Sequence, residues 1–532
     1  MNLIKRIAIV LCLTVQIVSC GGNSDSENSP SVATALVQVP VEDRRIALVH
    51  SQSTKSNFYD AFAYNQLFAS VQHQAMMAGL PFDLLDEDTL AGSASLQDYD
   101  AIVFPSFTHV KATNREAIIN KLLQAQDDGV GIVASSEFMA FQPDGTPFSD
   151  SSSAMIQVIG VQPSTFQSGV SASVKVANNT HPVNRTYQSN EELVAYEQIW
   201  FANFVAAGGE QTTPITVVEA DGAVYNGAQS IERNSRVVHF ANDQILADNN
   251  QLWRMLQWVV YGDIAPVGLQ VSRSDHVFLA RNDMDQAMIA AELAQTEIPL
   301  LEIIRDWKRD FNFVGSYYID IGNDPAAGEF TDWAISGPLY RDYIALGNEI
   351  ATHSWTHPHF TSTLNASELE FEFMDSAAEI GTRVGVPVTG AAVPGTAESL
   401  FVVETLNPWL DYLSGRSGTI GSGYQGAIGF LEPQHDMMYF SLNLSPDFTL
   451  IDFLNRTPAQ AKAIWKDEID GVLKHAQQPI VHWLWHDYGP TTQTAAGFYS
   501  KDMFTDTIAY ANSKGAEFAT VEDMQKRIRT FA

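Results

Sequence analysis

Cysteine is almost missing from this chain. Its 532 residues hold two, Cys12 and Cys20, both near the N-terminus. Everything beyond residue 20 therefore folds without an intramolecular disulfide, even in a compartment that would allow one. Cations are scarce as well: 30 Lys and Arg stand against 62 Asp and Glu, a net charge of −32. That balance repels a phosphate backbone and excludes nucleic acid as a partner. The apolar run that opens the chain, residues 7–18, falls short of the roughly 20 residues that span a bilayer as a helix. The rest is globular in composition, with 45% hydrophobic, 11% aromatic and 17% charged residues, which argues against disorder beyond the N-terminus. The length exceeds one hydrophobic core, so two or three domains are expected.

Lys5 and Arg6 precede the apolar run, the pattern of a secretory signal. The run ends Ile17-Val18-Ser19-Cys20 and is followed by Gly21-Gly22. This resembles the lipobox of bacterial lipoproteins. The resemblance implies removal of residues 1–19 and lipidation of Cys20. The chain would then be anchored to a membrane of the bacterial envelope, at the outer membrane or the periplasmic face. Residues 20–43, rich in Ser, Asn, Pro and Val, read as a tether.

Residues 44–265 alternate short apolar runs with helical patterns. Strands are expected at 46–49, 82–85, 99–105 and 131–134. A helix should follow the first, its face carrying Tyr64, Leu67, Phe68, Val71, Ala75 and Ala78. Asn114 is expected to cap a helix, and residues 150–240 read as β-rich insertions. Alternation of this kind implies a parallel sheet covered on both faces. The region resembles the class I glutamine-amidotransferase-like, flavodoxin-like fold. That resemblance puts a nucleophile just after the strand ending at Ala134. Ser135-Ser136-Glu137 stand there instead, with no G-x-S-x-G elbow, so a non-catalytic domain is expected.

Residues 266–532 repeat strand and helix over about 260 residues, the pattern of a parallel (β/α) barrel, in which chemistry gathers at the C-terminal ends of the strands. Three segments place reactive side chains there. In Arg281-Asn282-Asp283-Met284-Asp285, the two acids share a face if the strand continues. His353-Ser-Trp-Thr-His357-Pro358 offers two imidazoles four residues apart. Such a pair arises by chance roughly 0.3 times among 13 histidines, so the spacing needs its context. The third segment is His482-Trp-Leu-Trp-His486-Asp487, in which His482 is expected to be buried and hydrogen-bonded.

In order and setting these segments resemble the polysaccharide deacetylase (NodB-homology) superfamily. Residues 347–358 match its second motif and Leu484-Trp485-His486 its Leu-x-His motif. Asp283-Met284-Asp285 departs from the usual adjacent pair, as in the branch acting on galactosamine-containing exopolysaccharides. The resemblance implies a distorted (β/α) barrel and a divalent metal on Asp285, His353 and His357. Zinc is favoured, with cobalt or nickel as alternatives. It further implies Asp283 as general base, His486 as general acid, and an N-acetylated polysaccharide as substrate. The third motif normally carries an arginine that orients the base. Here Gly390-Ala-Ala-Val-Pro-Gly395 has none; Arg281 is a candidate substitute. Trp409 is a candidate for the fourth motif. The missing arginine also leaves open a deacetylase relic that only binds polysaccharide.

Overall fold

The computed structural model describes residues 44–248, 250–262, 276–287, 299–324, 326, 329–416, 424, 426–476, 479–491 and 499–532. The signal, Cys20, the tether and the 265/266 boundary lie outside the described residues. Among the described residues no helix is long and apolar enough to cross a membrane.

The first sheet begins with strands β1 (Ile46–His50), β2 (Phe82–Asp86) and β3 (Ala101–Phe104). Two short strands, β4 (Phe107–His109) and β6 (Phe138–Phe141), pair with each other and flank β5 (Gly131–Ser135). β7 (Val161–Val176), β8 (Glu192–Ala206), β9 (Thr212–Ala220), β10 (Ala223–Glu232) and β11 (Arg236–Phe240) follow. The sheet order is β2-β1-β3-β5-β11-β10-β9-β7-β8. The first five run parallel, and their apolar residues are buried on both faces. The β-rich stretch after 150 supplies the antiparallel wing, β7 to β10. The fourth helix spans Ala112–Asp127, so Asn114 stands inside its first turn. Its amide donates to Glu87 and Asp88 and does not cap the helix.

The second sheet holds β12 (His276–Met284), β13 (Ser316–Ile319), β14 (Glu349–Thr352), β15 (Gly390–Ala392), β16 (Tyr412–Ser414), β17 (Ile428–Phe430), β18 (Met438–Phe440), β19 (Ile480–His486) and β20 (Ala516–Ala519). The order is β17-β18-β16-β15-β14-β13-β12-β19, with β20 also on β12. All pairings are parallel except β17 on β18. The sheet curls until its ends meet. Asn443, just past β18, accepts from His482 N (2.8 Å) and donates to Ile480 O (2.7 Å) on β19. The result is an incomplete barrel.

One compact unit contains both sheets. The helix Ala61–Met77 explains why. Its apolar face packs on the first sheet, as the sequence pattern implies, but its polar face is not solvated: Asn65, Gln66, Gln72 and Gln74 are buried. Gln72 exchanges two hydrogen bonds with the backbone of Phe430 on β17 (2.6 and 2.9 Å). That caps the edge strand of the second sheet, where unpaired groups would otherwise invite another strand. A Cβ at Gly429 would stand 2.5 Å from Gln72 Oε1, so the close approach needs glycine. Lys55 and Asn65 reach across the same seam to Glu432.

Candidate metal centre

β12, β13 and β14 lie side by side in register, Met284 opposite Ile319 and Ile319 opposite Thr352. The next residue on each strand is Asp285, Asp320 and His353. Three adjacent parallel strands thus deliver three donor side chains at one level, on the C-terminal rim. The ligand atoms of these three and of His357 all lie within 4.8 Å of one another. His357 Nε2 is 3.5 Å from Asp285 Oδ1, and His353 Nε2 is 3.8 Å from the same oxygen.

The loop between the two histidines is held in an uncommon shape. Ser354 and His357 adopt φ of 97° and 54°, a region side chains other than glycine seldom occupy. Glu372 compensates: its carboxylate accepts from Trp355 N (3.0 Å), Thr356 N (2.8 Å) and Thr356 Oγ1 (2.5 Å). Ser354 Oγ accepts from His357 N (2.9 Å). His353 Nδ1 lies 3.1 Å from Ala392 O. A carbonyl only accepts, so Nδ1 carries the proton and Nε2 keeps its lone pair toward the centre.

Asp283 is fully buried and already engaged. Arg281, two residues earlier on β12, donates from Nε to Oδ1 (2.6 Å) and from Nη2 to Oδ2 (2.8 Å). Its remaining donors go to Val393 O (2.7 Å) and Ser414 O (2.8 Å). The Gly390–Gly395 segment therefore lacks an arginine yet still takes part, through a carbonyl that aims Arg281 at Asp283. Burial pushes the Asp283 carboxyl up, but Arg281 and then His353 hold it below the usual carboxylate range.

His486 closes the other side. It stands opposite Asp283 in the β12–β19 ladder, its Nε2 3.9 Å from Asp285 Oδ2. Asp447 holds it twice, accepting from His486 N (2.9 Å) and meeting Nδ1 at 2.6 Å. Tyr488 stacks on the ring, with centroids 5.0 Å apart, and Phe448 meets it edge-on. Burial lowers the His486 imidazole, but the carboxylates of Asp447, Asp285 and Asp283 together outweigh it and the group is pushed up to about 9. Burial, with His357 and Arg281 beside it, takes His353 down to about 3 against the pull of Asp283; burial lowers His357 as well, but the carboxylates of Asp320 and Asp285 outweigh it and push that group up to about 10.

The donor chemistry fits a divalent ion. Among the described residues, the only buried carboxylate oxygens without a hydrogen-bond partner are Asp285 Oδ1 and both oxygens of Asp320. Such groups are costly unless paired or coordinated. Two imidazoles beside carboxylates suit zinc, cobalt and nickel. Asp285 and His357, their side chains 30% and 25% accessible, leave the centre open to solvent on one side.

All five residues singled out from the sequence for this site, Asp283, Asp285, His353, His357 and His486, meet here. Sequence reasoning missed Asp320, Asp447 and Glu372. Asp320 had a usable signal, being an acid directly after the apolar strand Tyr317-Tyr318-Ile319; the other two had none. His482 is buried, with Nδ1 3.1 Å from Ser441 O. Trp409 packs in a separate apolar cluster with Val402 and Leu406. In the first sheet Ser135 donates to Pro105 O, and His239 directs Nε2 to the Ser136 carbonyl, 2.8 Å away, not to a hydroxyl.

No family model matches the chain, and no curated protein is similar to it. Solved structures with similarity to it include a protein of Mycobacterium smegmatis classed as a polysaccharide deacetylase (14% identity, 48% of this chain and 91% of that one, TM-score 0.36). A second is the CE4 domain of a multidomain xylanase from the hindgut metagenome of Trinervitermes trinervoides (14%, 48% and 91%, TM-score 0.29). A third is a CE4-family pseudoenzyme of Bacillus anthracis (12%, 47% and 66%, TM-score 0.29).

Proposed function

We propose that the chain is a metal-dependent N-deacetylase that releases acetate from N-acetylated hexosamines, N-acetylgalactosamine or N-acetylglucosamine, of an exopolysaccharide. The observation that carries this reading is the placement, in one open centre, of a carboxylate held by Arg281 and an imidazole held by Asp447 on either side of a divalent-ion donor set. Asp285, His353 and His357 would hold the ion, with zinc the first expectation and cobalt or nickel the alternatives. When bound, such an ion supplies a water of lowered pKa and a positive charge beside the amide carbonyl. Asp283, ionised and oriented by Arg281, takes the proton from the attacking water. His486, protonated and held by Asp447, gives its Nε2 proton to the amine nitrogen as the C–N bond breaks. The test is acetate release from polymers of each sugar, with and without chelator; acetate release that chelation leaves untouched rejects the reading.

A binding protein without activity is the reading that the arginine-free third segment favours. Arg281 weakens it, because the base keeps a bidentate guanidinium partner. For the N-terminal region we favour a non-catalytic, amidotransferase-like, flavodoxin-like domain. Its parallel strands follow the order 2-1-3-4-5 of doubly wound sheets. The lipobox-like segment supports lipidation at Cys20 and an envelope membrane as the place of action. Labelling with a fatty-acid analogue, abolished in Cys20→Ser, tests that step.

A further inference from the structure

An ion held by Asp285, His353 and His357 would leave one group in the centre unexplained. Asp320 is fully buried, and neither carboxylate oxygen has a hydrogen-bond donor. Other buried carboxylates nearby are provided for: Asp283 by Arg281, Asp447 by His486, Glu372 by three donors of the histidine loop. Asp320 is also level with two of the donors, being the residue after Ile319 in a register that puts Asp285 and His353 on the flanking strands. A carboxylate in that position, within 4.8 Å of the other three ligand atoms, has the reach of a ligand.

Resting on the metal reading above, we propose that Asp320 is a fourth protein donor, so that the centre is built from two imidazoles and two carboxylates. Two carboxylates would balance a divalent ion's charge. Four protein donors already satisfy a tetrahedral ion. Room for water then requires a fifth or sixth position, which cobalt and nickel accept readily. The competing role for Asp320 is as a counter-ion to protonated His357, with no bond to the metal.

Cobalt binding separates the two. The full chain is freed of metal and titrated with Co²⁺, for the wild type, Asp320→Asn and Asp320→Glu, following affinity by chelator competition and coordination by visible absorption. The wild type is expected to bind one ion with the weak absorption of a five- or six-coordinate centre. Asp320→Asn should lose more than the roughly 10–100-fold that follows loss of a residue that only orients a ligand, and its absorption should intensify as the coordination number falls. Asp320→Glu, which keeps the carboxylate, should recover part of the affinity. Without metal, Asp320→Asn should unfold in a single cooperative transition as the wild type does; this shows that the variant folds. An unchanged spectrum in Asp320→Asn, at any affinity, overturns the proposal while leaving the metal reading intact. A wild type that binds no ion overturns both.

Discussion

The two ends of the barrel sheet treat a buried acid in opposite ways. At the N-terminal end, Glu349 of β14 is level with Ser316 of β13. Its carboxyl accepts from Ser316 Oγ (2.6 Å), Tyr412 OH (2.5 Å) and Glu522 N (3.0 Å). At the C-terminal end, about 13 Å further along the same pair of strands, Asp320 accepts from no group and Asp285 keeps one oxygen free. A satisfied acid stitches strands together. An unsatisfied one is a place kept for something else. The contrast matches the division of labour in (β/α) barrels, with stability at one rim and chemistry at the other.

Breaking the C-terminal rim should therefore cost activity, and breaking the N-terminal rim only stability. The largest effect is expected for Asp285→Ala or His353→Ala. Each should lose bound metal and, with it, roughly 10³-fold or more in acetate release, the equivalent of several kcal/mol. Metal content and rate are measured on the same preparations. Asp283→Asn should keep its metal and still lose about 10²–10⁴-fold in kcat; full activity in that variant would remove Asp283 from the role of base.

Arg281→Ala blurs the comparison in an instructive way, because it leaves Asp283 buried without its partner. Urea unfolding should register a loss of about 3–5 kcal/mol, together with a fall in kcat. Asp447→Asn is subtler. Burial lowers the His486 imidazole, and Asp447 leads the carboxylates that outweigh burial and hold it up to about 9, with Asp285 and Asp283 behind it, so the alkaline limb of the kcat profile should move part of the way toward the ordinary histidine range. The same raised pKa stabilises the fold fully below about 6.5 and loses that contribution as pH rises through about 9. The smallest effect is expected for Glu349→Gln. Burial raises the Glu349 carboxyl to about 7, so the wild type loses stability as pH climbs from about 4.5 to 7. Thermal unfolding of Glu349→Gln should lack that slope, and its metal affinity should equal the wild type's.

Much of the site was legible because its segments resemble the motifs of one superfamily and fall at the ends of strands. Asp283 lies on β12 and Asp285 directly after it, while His353 follows β14 and His486 ends β19. Glu372 and Asp447 could not be read in this way. Neither belongs to a strand end, and each acts through a loop whose course depends on the fold. The polar side of the helix Ala61–Met77 was illegible for a related reason. Asn65, Gln66 and Gln72 find their partners in or beside the second sheet, more than 350 residues later. Arg281 lay between these cases. Its distance from Asp283 was visible, whereas the carbonyls of Val393 and Ser414 that aim it come from the curl of the sheet.

The most direct measurement is acetate release from N-acetylgalactosamine- and N-acetylglucosamine-rich polymers by the purified chain, stripped of metal and then reloaded with one divalent ion. The account expects release to vanish on stripping, to return on reloading, and to stay absent in reloaded Asp283→Asn. Equal release by the stripped and reloaded protein, or none in either state with the ion demonstrably bound, would contradict it.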